Sequence, residues 1–190
     1  MEQLSLNISY ESEVEIIASS AFNFRIELVK KIGVDDYDKI FEISHDMANV
    51  FGNKFLLTEN NILKYFNENT LPFLARNKGE IIGYIIGVPI EHFQQESWAR
   101  YDINLGRDNT LYTYAFIMCK KYRKMGGYSK TLKRIYLNWA KKRHYKYVSG
   151  HVIQGHSKKF PTNKTEIIKL FPNWYNCHLS FEYYRRLLLI

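Results

Sequence analysis

From Tyr112 to Leu132 the chain reads YTYAFIMCKKYRKMGGYSKTL: aromatic and β-branched residues, a basic turn with Gly126 and Gly127, then residues at helical spacing. A strand that ends in such a turn and feeds a helix aims backbone N–H groups and the positive end of a helix dipole at one point. That is the chemistry of phosphate binding. Glycine at 126 and 127 lets the main chain approach a ligand with no Cβ between them. The other group able to do chemistry is His151, in Gly150-His151-Val152-Ile153-Gln154-Gly155-His156. Its imidazole titrates near neutral pH and can take a proton directly or through water. Each feature also has a plainer reading, a helix that starts after a glycine and a histidine satisfied in the core. Cys119 and Cys177 have neither zinc spacing nor a disulfide framework, so they read as idle thiols and no metal site is expected.

The charge distribution supports an anionic ligand. Net charge is +8 over 190 residues, yet no Asp or Glu occurs from Asn109 to Thr165, where 14 of the 27 Lys and Arg fall. The remainder carries 13 basic against 19 acidic residues. A phosphorylated cofactor and nucleic acid are the two candidate partners for so local a positive potential.

The elements that must position these residues follow from periodicity. Phe24 to Lys30 reads as a strand, and Asp35 to Val50 as an amphipathic helix with Tyr37, Ile40, Phe41, Ser44 and Met47 inward. Thr58 caps a second helix with Ile62, Leu63 and Phe66 inward. Leu71 to Arg76 and Ile81 to Pro89 form a hairpin across Asn77-Lys78-Gly79-Glu80. Glu91 to Asn109 is a polar loop over one face, and Thr110 to Cys119 is a strand. The helix after Gly127 carries the stripe Tyr128, Leu132, Ile135, Tyr136 and Trp139. Tyr145 to Ile153 is a strand, Thr162 to Phe171 a short helix capped by Thr162, and Phe181 to Leu188 a last strand. The order β-α-α-β-β-β-α-β-α-β predicts a single α/β (α+β) domain over 1–190, with 1–22 an irregular N-terminal segment. Its mixed, mostly antiparallel sheet has about six to seven strands flanked by helices.

The segment Arg123-Lys124-Met125-Gly126-Gly127-Tyr128, preceded by Tyr122, resembles the acetyl-CoA loop of the GNAT superfamily of N-acetyltransferases, Arg/Gln-x-x-Gly-x-Gly/Ala, between the family's fourth strand and third helix. Tyr128 departs from the small residue preferred there. The resemblance covers the element order from Phe24 onward. It implies that Lys124, Met125, Gly126, Gly127, Tyr128 and Ser129 hold the pyrophosphate of coenzyme A. It also implies that the main chain of Phe116, Ile117 and Met118 pairs with the pantetheine arm. His156 stands where the family usually has an Asn touching that arm. Many relatives use a Glu base on the fourth or fifth strand, and this chain has none there. Some N-terminal amino-group acetyltransferases pair a strand-five histidine with a strand-four tyrosine eleven residues before the loop Arg, which falls on His151 and Tyr112. The family's acid, a tyrosine in the fourth helix, has no counterpart in 162–171; Tyr175, Tyr183 and Tyr184 remain open. Cys119 suggests a ping-pong route, which the absence of a neighbouring histidine motif disfavours.

The expected function is therefore acetyl transfer from acetyl-CoA to a primary amine, on a small molecule or a protein, by direct transfer in a ternary complex. Asp102, Glu91 and Glu96 read either as attractors of a cationic amine or as ordinary surface charge. Two other classes compete: a basic nucleic-acid-binding module, and a non-catalytic acyl-CoA-binding protein of the same fold. Against the first, the aromatics fall on buried stripes and no RNA or DNA motif occurs. No apolar run approaches the roughly 20 residues of a membrane span. The acidic N-terminus is unlike a signal peptide, so a cytoplasmic protein is expected, and the resemblance also allows a homodimer.

Overall fold

The computed structural model describes residues 9–20 and 23–188, so positions 1–8 and 21–22 of the expected irregular segment lie outside the described residues. Alternating apolar residues build one sheet of eight strands: β1 (Glu13–Ser19), β2 (Phe24–Lys31), β3 (Leu71–Asn77), β4 (Glu80–Pro89), β5 (Thr110–Met118), β6 (Tyr147–Ile153), β7 (Thr165–Phe171) and β8 (Phe181–Leu187). Their spatial order is β1-β2-β3-β4-β5-β6-β8-β7, and only the β5–β6 pair is parallel. Lys78 and Gly79 close the β3–β4 hairpin, both with positive φ, the geometry of a two-residue turn that matches strand twist.

Helices α1 (Tyr37–Phe51) and α2 (Glu59–Tyr65) cover one face, and α3 (Tyr128–Lys142) covers the other. On α1, Ile40, Ile43, Ser44 and Met47 point inward. On α3 the buried row is Leu132, Tyr136 and Ala140, with Tyr128, Ile135 and Trp139 packed beside it. Asn61 accepts the Thr58 N–H at the start of α2, while Leu63, expected inward, is exposed. Among the described residues no helix is long and apolar enough to cross a membrane.

Two corrections raise the strand count from the expected six or seven to eight. Glu13–Ser19 is not irregular but pairs with β2 as an edge strand. The expected helix Thr162–Phe171 is β7, preceded by a 3-10 turn at Thr162–Lys164. The helical reading rested on a cap and one acid, which describe a first turn only. β-Branched Thr165, Ile167 and Ile168 beside β8 complete an antiparallel ladder instead, and pairing outweighs a weak local signal. As a result, the connection 154–164 between β6 and β7 contains two 3-10 turns and no α-helix.

Candidate active site

β5 and β6 pair only at Thr110–Tyr147, Leu111–Val148 and Tyr112–Ser149. Beyond these positions the strands splay, and a cleft of about 290 Å³ opens between them. It is reached from the α3 face by Lys133, Tyr136 and Tyr184, and from the α1 face by Met47, His151 and Trp174. One cavity thus passes through the sheet. The β4 register accounts for which groups face it. Tyr114 is an extra residue in β5, skipped between Ile86–Ala115 and Gly87–Thr113. Cys119 donates to the Ile82 carbonyl at 2.8 Å, so the pairs Ile82–Cys119 and Tyr84–Ile117 are the hydrogen-bonded ones. The main chain of Phe116 and Met118 therefore points away from β4, into the cleft, whereas that of Ile117 belongs to the β4 ladder.

At the end of β5 the chain turns through a 3-10 turn, Lys120–Tyr122, into the glycine loop. Lys124, Gly126 and Gly127 have φ of 64°, 55° and 69°. A Cβ on Gly126 would lie 2.9 Å from the Tyr128 ring, so glycine is required there on two counts. Successive backbone N–H groups at a left-handed turn before a helix form an anion-binding concavity. Lys124, Met125, Gly126 and Gly127 are exposed, and Ser129 is half-buried in the first turn of α3. The Tyr128 ring folds back over Gly126 and packs on Phe24, 4.7 Å between centroids, away from the loop's open side. Arg123 donates to the Met118 carbonyl at 2.8 Å and to Asp46 at 2.9 Å, so its side chain staples the loop to β5 and α1.

On the α1 face Tyr112 and His151 meet, the hydroxyl 2.9 Å from Nδ1. Trp174 stacks on the imidazole at 3.9 Å, and Trp98 meets it edge-on at 4.9 Å. Burial among these rings lowers the His151 pKa to about 3 and raises that of Tyr112 far above its ordinary value. His151 Nε2 and Trp174 Nε1 are buried polar atoms without a hydrogen-bond partner. Trp174 lies in a strained segment: Asn173, Tyr175, Asn176 and His178 all have φ between 45° and 60°. Such strain gathers where a side chain must be held in one place.

No family model and no curated protein matches the sequence. Solved structures do match. An acetyltransferase of the GNAT family from Staphylococcus aureus superposes with a TM-score of 0.56 at 17% identity, covering 86% of this chain and 99% of that one. The ribosomal-protein-S18-alanine N-acetyltransferase from Escherichia coli gives 0.61 at 10% identity, covering 88% and 95%. An aminoglycoside 6'-N-acetyltransferase complexed with coenzyme A gives 0.60 at 10% identity, covering 87% and 97%. The chain has the GNAT fold.

In GNAT terms β5 is the family's fourth strand, shifted by one because β1 precedes it. His156 opens the 3-10 turn His156–Lys159 and lines the cleft; burial first, then Lys159 and Lys133, lowers its pKa. The three tyrosines left open by the sequence now separate. Tyr175 donates to Glu96 at 2.7 Å and Tyr183 to Asp102 at 2.7 Å. Only Tyr184 lines the cleft, where a Cβ on Gly150 would lie 3.3 Å from its ring and hydroxyl and 3.4 Å from the Thr113 carbonyl. Burial pushes its pKa up to about 12. Asp102 is no amine attractor: it is buried and bound by Arg185 at 2.6 Å. Trp98, Trp174 and Lys133 carry no sequence motif, and their roles come from distant segments that only the fold brings together.

Proposed function

We propose that the chain is an acetyl-CoA-dependent N-acetyltransferase acting on a primary amine by direct transfer in a ternary complex. The observation that carries this reading is the single cavity that pierces the sheet at the β5–β6 splay. The glycine loop stands by one face, and the Tyr112–His151 pair stands on the other. The residues fit the donor: outward main chain at Phe116 and Met118 for its amide arm, and the loop from Lys124 to Ser129, with His156 beside the arm, for its phosphates. When bound, acetyl-CoA supplies a thioester, an electrophilic carbonyl with a thiolate leaving group.

The chain's own residues supply the rest. One outward N–H of β5, that of Phe116 or that of Met118, would donate to the thioester carbonyl oxygen and stabilise the charge that develops there. Trp98 and Trp174 exclude water and fix the imidazole plane. In the tautomer with the proton on Nδ1, His151 donates to the Tyr112 oxygen and Nε2 is left to accept a hydrogen bond from the attacking amine. Burial holds His151 neutral and makes it a weak base, so Nε2 orients the unprotonated amine by a hydrogen bond and the proton passes on to solvent. Tyr184, protonated at those pH values, hands a proton to the departing sulfur and replaces the missing helix tyrosine. Cys119 is half-buried with its pKa raised by burial, a poor nucleophile.

The test is calorimetric titration with acetyl-CoA, followed by transfer assays over a panel of amines that includes peptides and aminoglycosides. Micromolar binding and transfer to at least one amine is the expected result. Binding with no transfer to any amine would reduce the protein to an acyl-CoA-binding module, and no binding would remove the reading.

A further inference from the structure

The 3-10 connection 154–164 leaves the flank of α3 uncovered, and a groove of about 420 Å³ runs along it. One wall is α3, with Lys130, Lys133, Arg134 and Lys141, a span of about 16 Å at the helical rise. The facing wall carries Lys159, Lys164 and Arg186, and the floor is apolar, with Leu137, Phe160 and Pro161. Among the described residues, no acidic residue lines it.

Among the described residues, none of these seven cations lies within 4.0 Å of a carboxylate. Of the other cations, Arg25, Lys30, Lys39, Lys54, Arg76, Lys120, Lys121, Arg123 and Arg185 pair with a carboxylate, so lack of pairing alone does not set the groove apart; its distinction is that seven such cations line one concave surface. Two of the seven are also partly desolvated. Lys133 sits over the Phe160 ring at 4.5 Å, its pKa lowered by burial and then by Arg186. Arg186 Nε is buried without a partner. Burying cations together without counter-ions is costly unless an anion completes the site. Lys130, Arg134, Lys141 and Lys159 are exposed, as on a solvated face, but such a face would have neither the apolar floor nor the buried Arg186 Nε.

We propose that this groove binds a single strand of nucleic acid, its phosphates along the Lys130–Lys141 wall and bases against the Phe160 floor. Charge alternating with an aromatic platform is how single strands are held without sequence preference. A duplex would meet the cations and leave the floor uncovered. The groove opens on the cofactor face, behind the sheet from His151, so the strand is not the acetyl acceptor. Lys133, Leu137, Phe160 and Arg186 line both the groove and the cleft, so strand and donor share this wall, and the strand is held beyond it by Lys130, Arg134, Lys141 and Lys164.

The experiment is fluorescence anisotropy with a fluorescein-labelled 12-nucleotide oligouridine, compared with the same strand in a duplex and with inorganic polyphosphate of equal charge as competitor. The triple variant Arg134→Glu/Lys141→Glu/Lys164→Glu changes exposed or half-buried positions that do not line the cleft. Expected is binding of the single strand in preference to both controls, weakened about 30-fold in the variant, with a salt slope smaller by about 2. The acetyl-CoA affinity of the variant should stay within twofold of wild type, which separates the groove from a site for the cofactor's own phosphates. Circular dichroism checks the fold, and Lys141→Gln/Lys164→Gln, with a proportionate loss, replaces the triple variant if that unfolds. No oligouridine binding, equal affinity in the variant, or polyphosphate or duplex competing as well as the single strand would each overturn the proposal.

Discussion

His151 combines a ring nitrogen held by Tyr112 with a second that no described residue satisfies. His151→Gln should lower kcat by about 10²-fold, the scale of losing the group that orients the attacking amine. With the pKa of His151 near 3, the rising limb of kcat/KM should follow the acceptor's own pKa and move when amines of different basicity are compared. The same depressed pKa affects stability. Between about pH 6.5 and 3 the unfolded chain binds a proton that the folded chain refuses. Stability from this group is thus complete above pH 6.5 and lost as pH falls toward 3. Thermal unfolding of His151→Gln over that window should lose less stability than wild type. Tyr184→Phe should lower kcat about tenfold with the KM for acetyl-CoA little changed, a small effect because a thiolate leaves readily. A Tyr175→Phe variant, off the cleft, serves as the comparison. His151 stood out in the sequence by its residue chemistry, but its pairing with Tyr112 came only through the resemblance. Tyr184 was one of three equal choices, since distance to a cleft is not written in local spacing.

At the scale of elements, the β5–loop–α3 segment was legible because strand period, glycine turn and helical stripe agree over twenty residues. β7 was not. Seven residues with a plausible cap read equally as helix or strand, and the decision came from β8, which is remote in sequence until folding. The same ambiguity hid the open flank of α3, which exists only because no helix fills 154–164. Gly126 tests the loop directly. Gly126→Glu puts a side chain at φ 55°, where left-handed geometry costs about 1–2 kcal/mol, and within 2.9 Å of the Tyr128 ring. Calorimetry should show loss of acetyl-CoA binding, with the melting temperature only modestly lower. The loop 91–109, read as polar and superficial, is instead anchored by buried Asp102 between Arg185 and Tyr183. Asp102→Ala leaves Arg185 with the exposed Glu166 carboxylate and Tyr183 without its acceptor, and should cost about 3 kcal/mol in urea denaturation, the low end for a broken buried pair.

For the whole molecule, eight strands form one continuous sheet on paper, yet the continuity rests on three residue pairs between β5 and β6. On one side of that seam lie β1 to β5, on the other β6, β8 and β7. Below the seam the halves are tied by the Asp102–Arg185 bridge and by the Trp98, Trp174 and Tyr183 cluster. Above it the cleft leaves them apart. So short a seam predicts two leaves on a hinge, which a ligand drawn through the cleft would rivet. Native-state hydrogen exchange should find the amides of β6, β8 and β7 opening together, at lower free energy than those of β3 and β4. A saturating donor analogue should merge the two openings into one, so that occupancy of the cleft decides whether the chain unfolds as two units or as a single body.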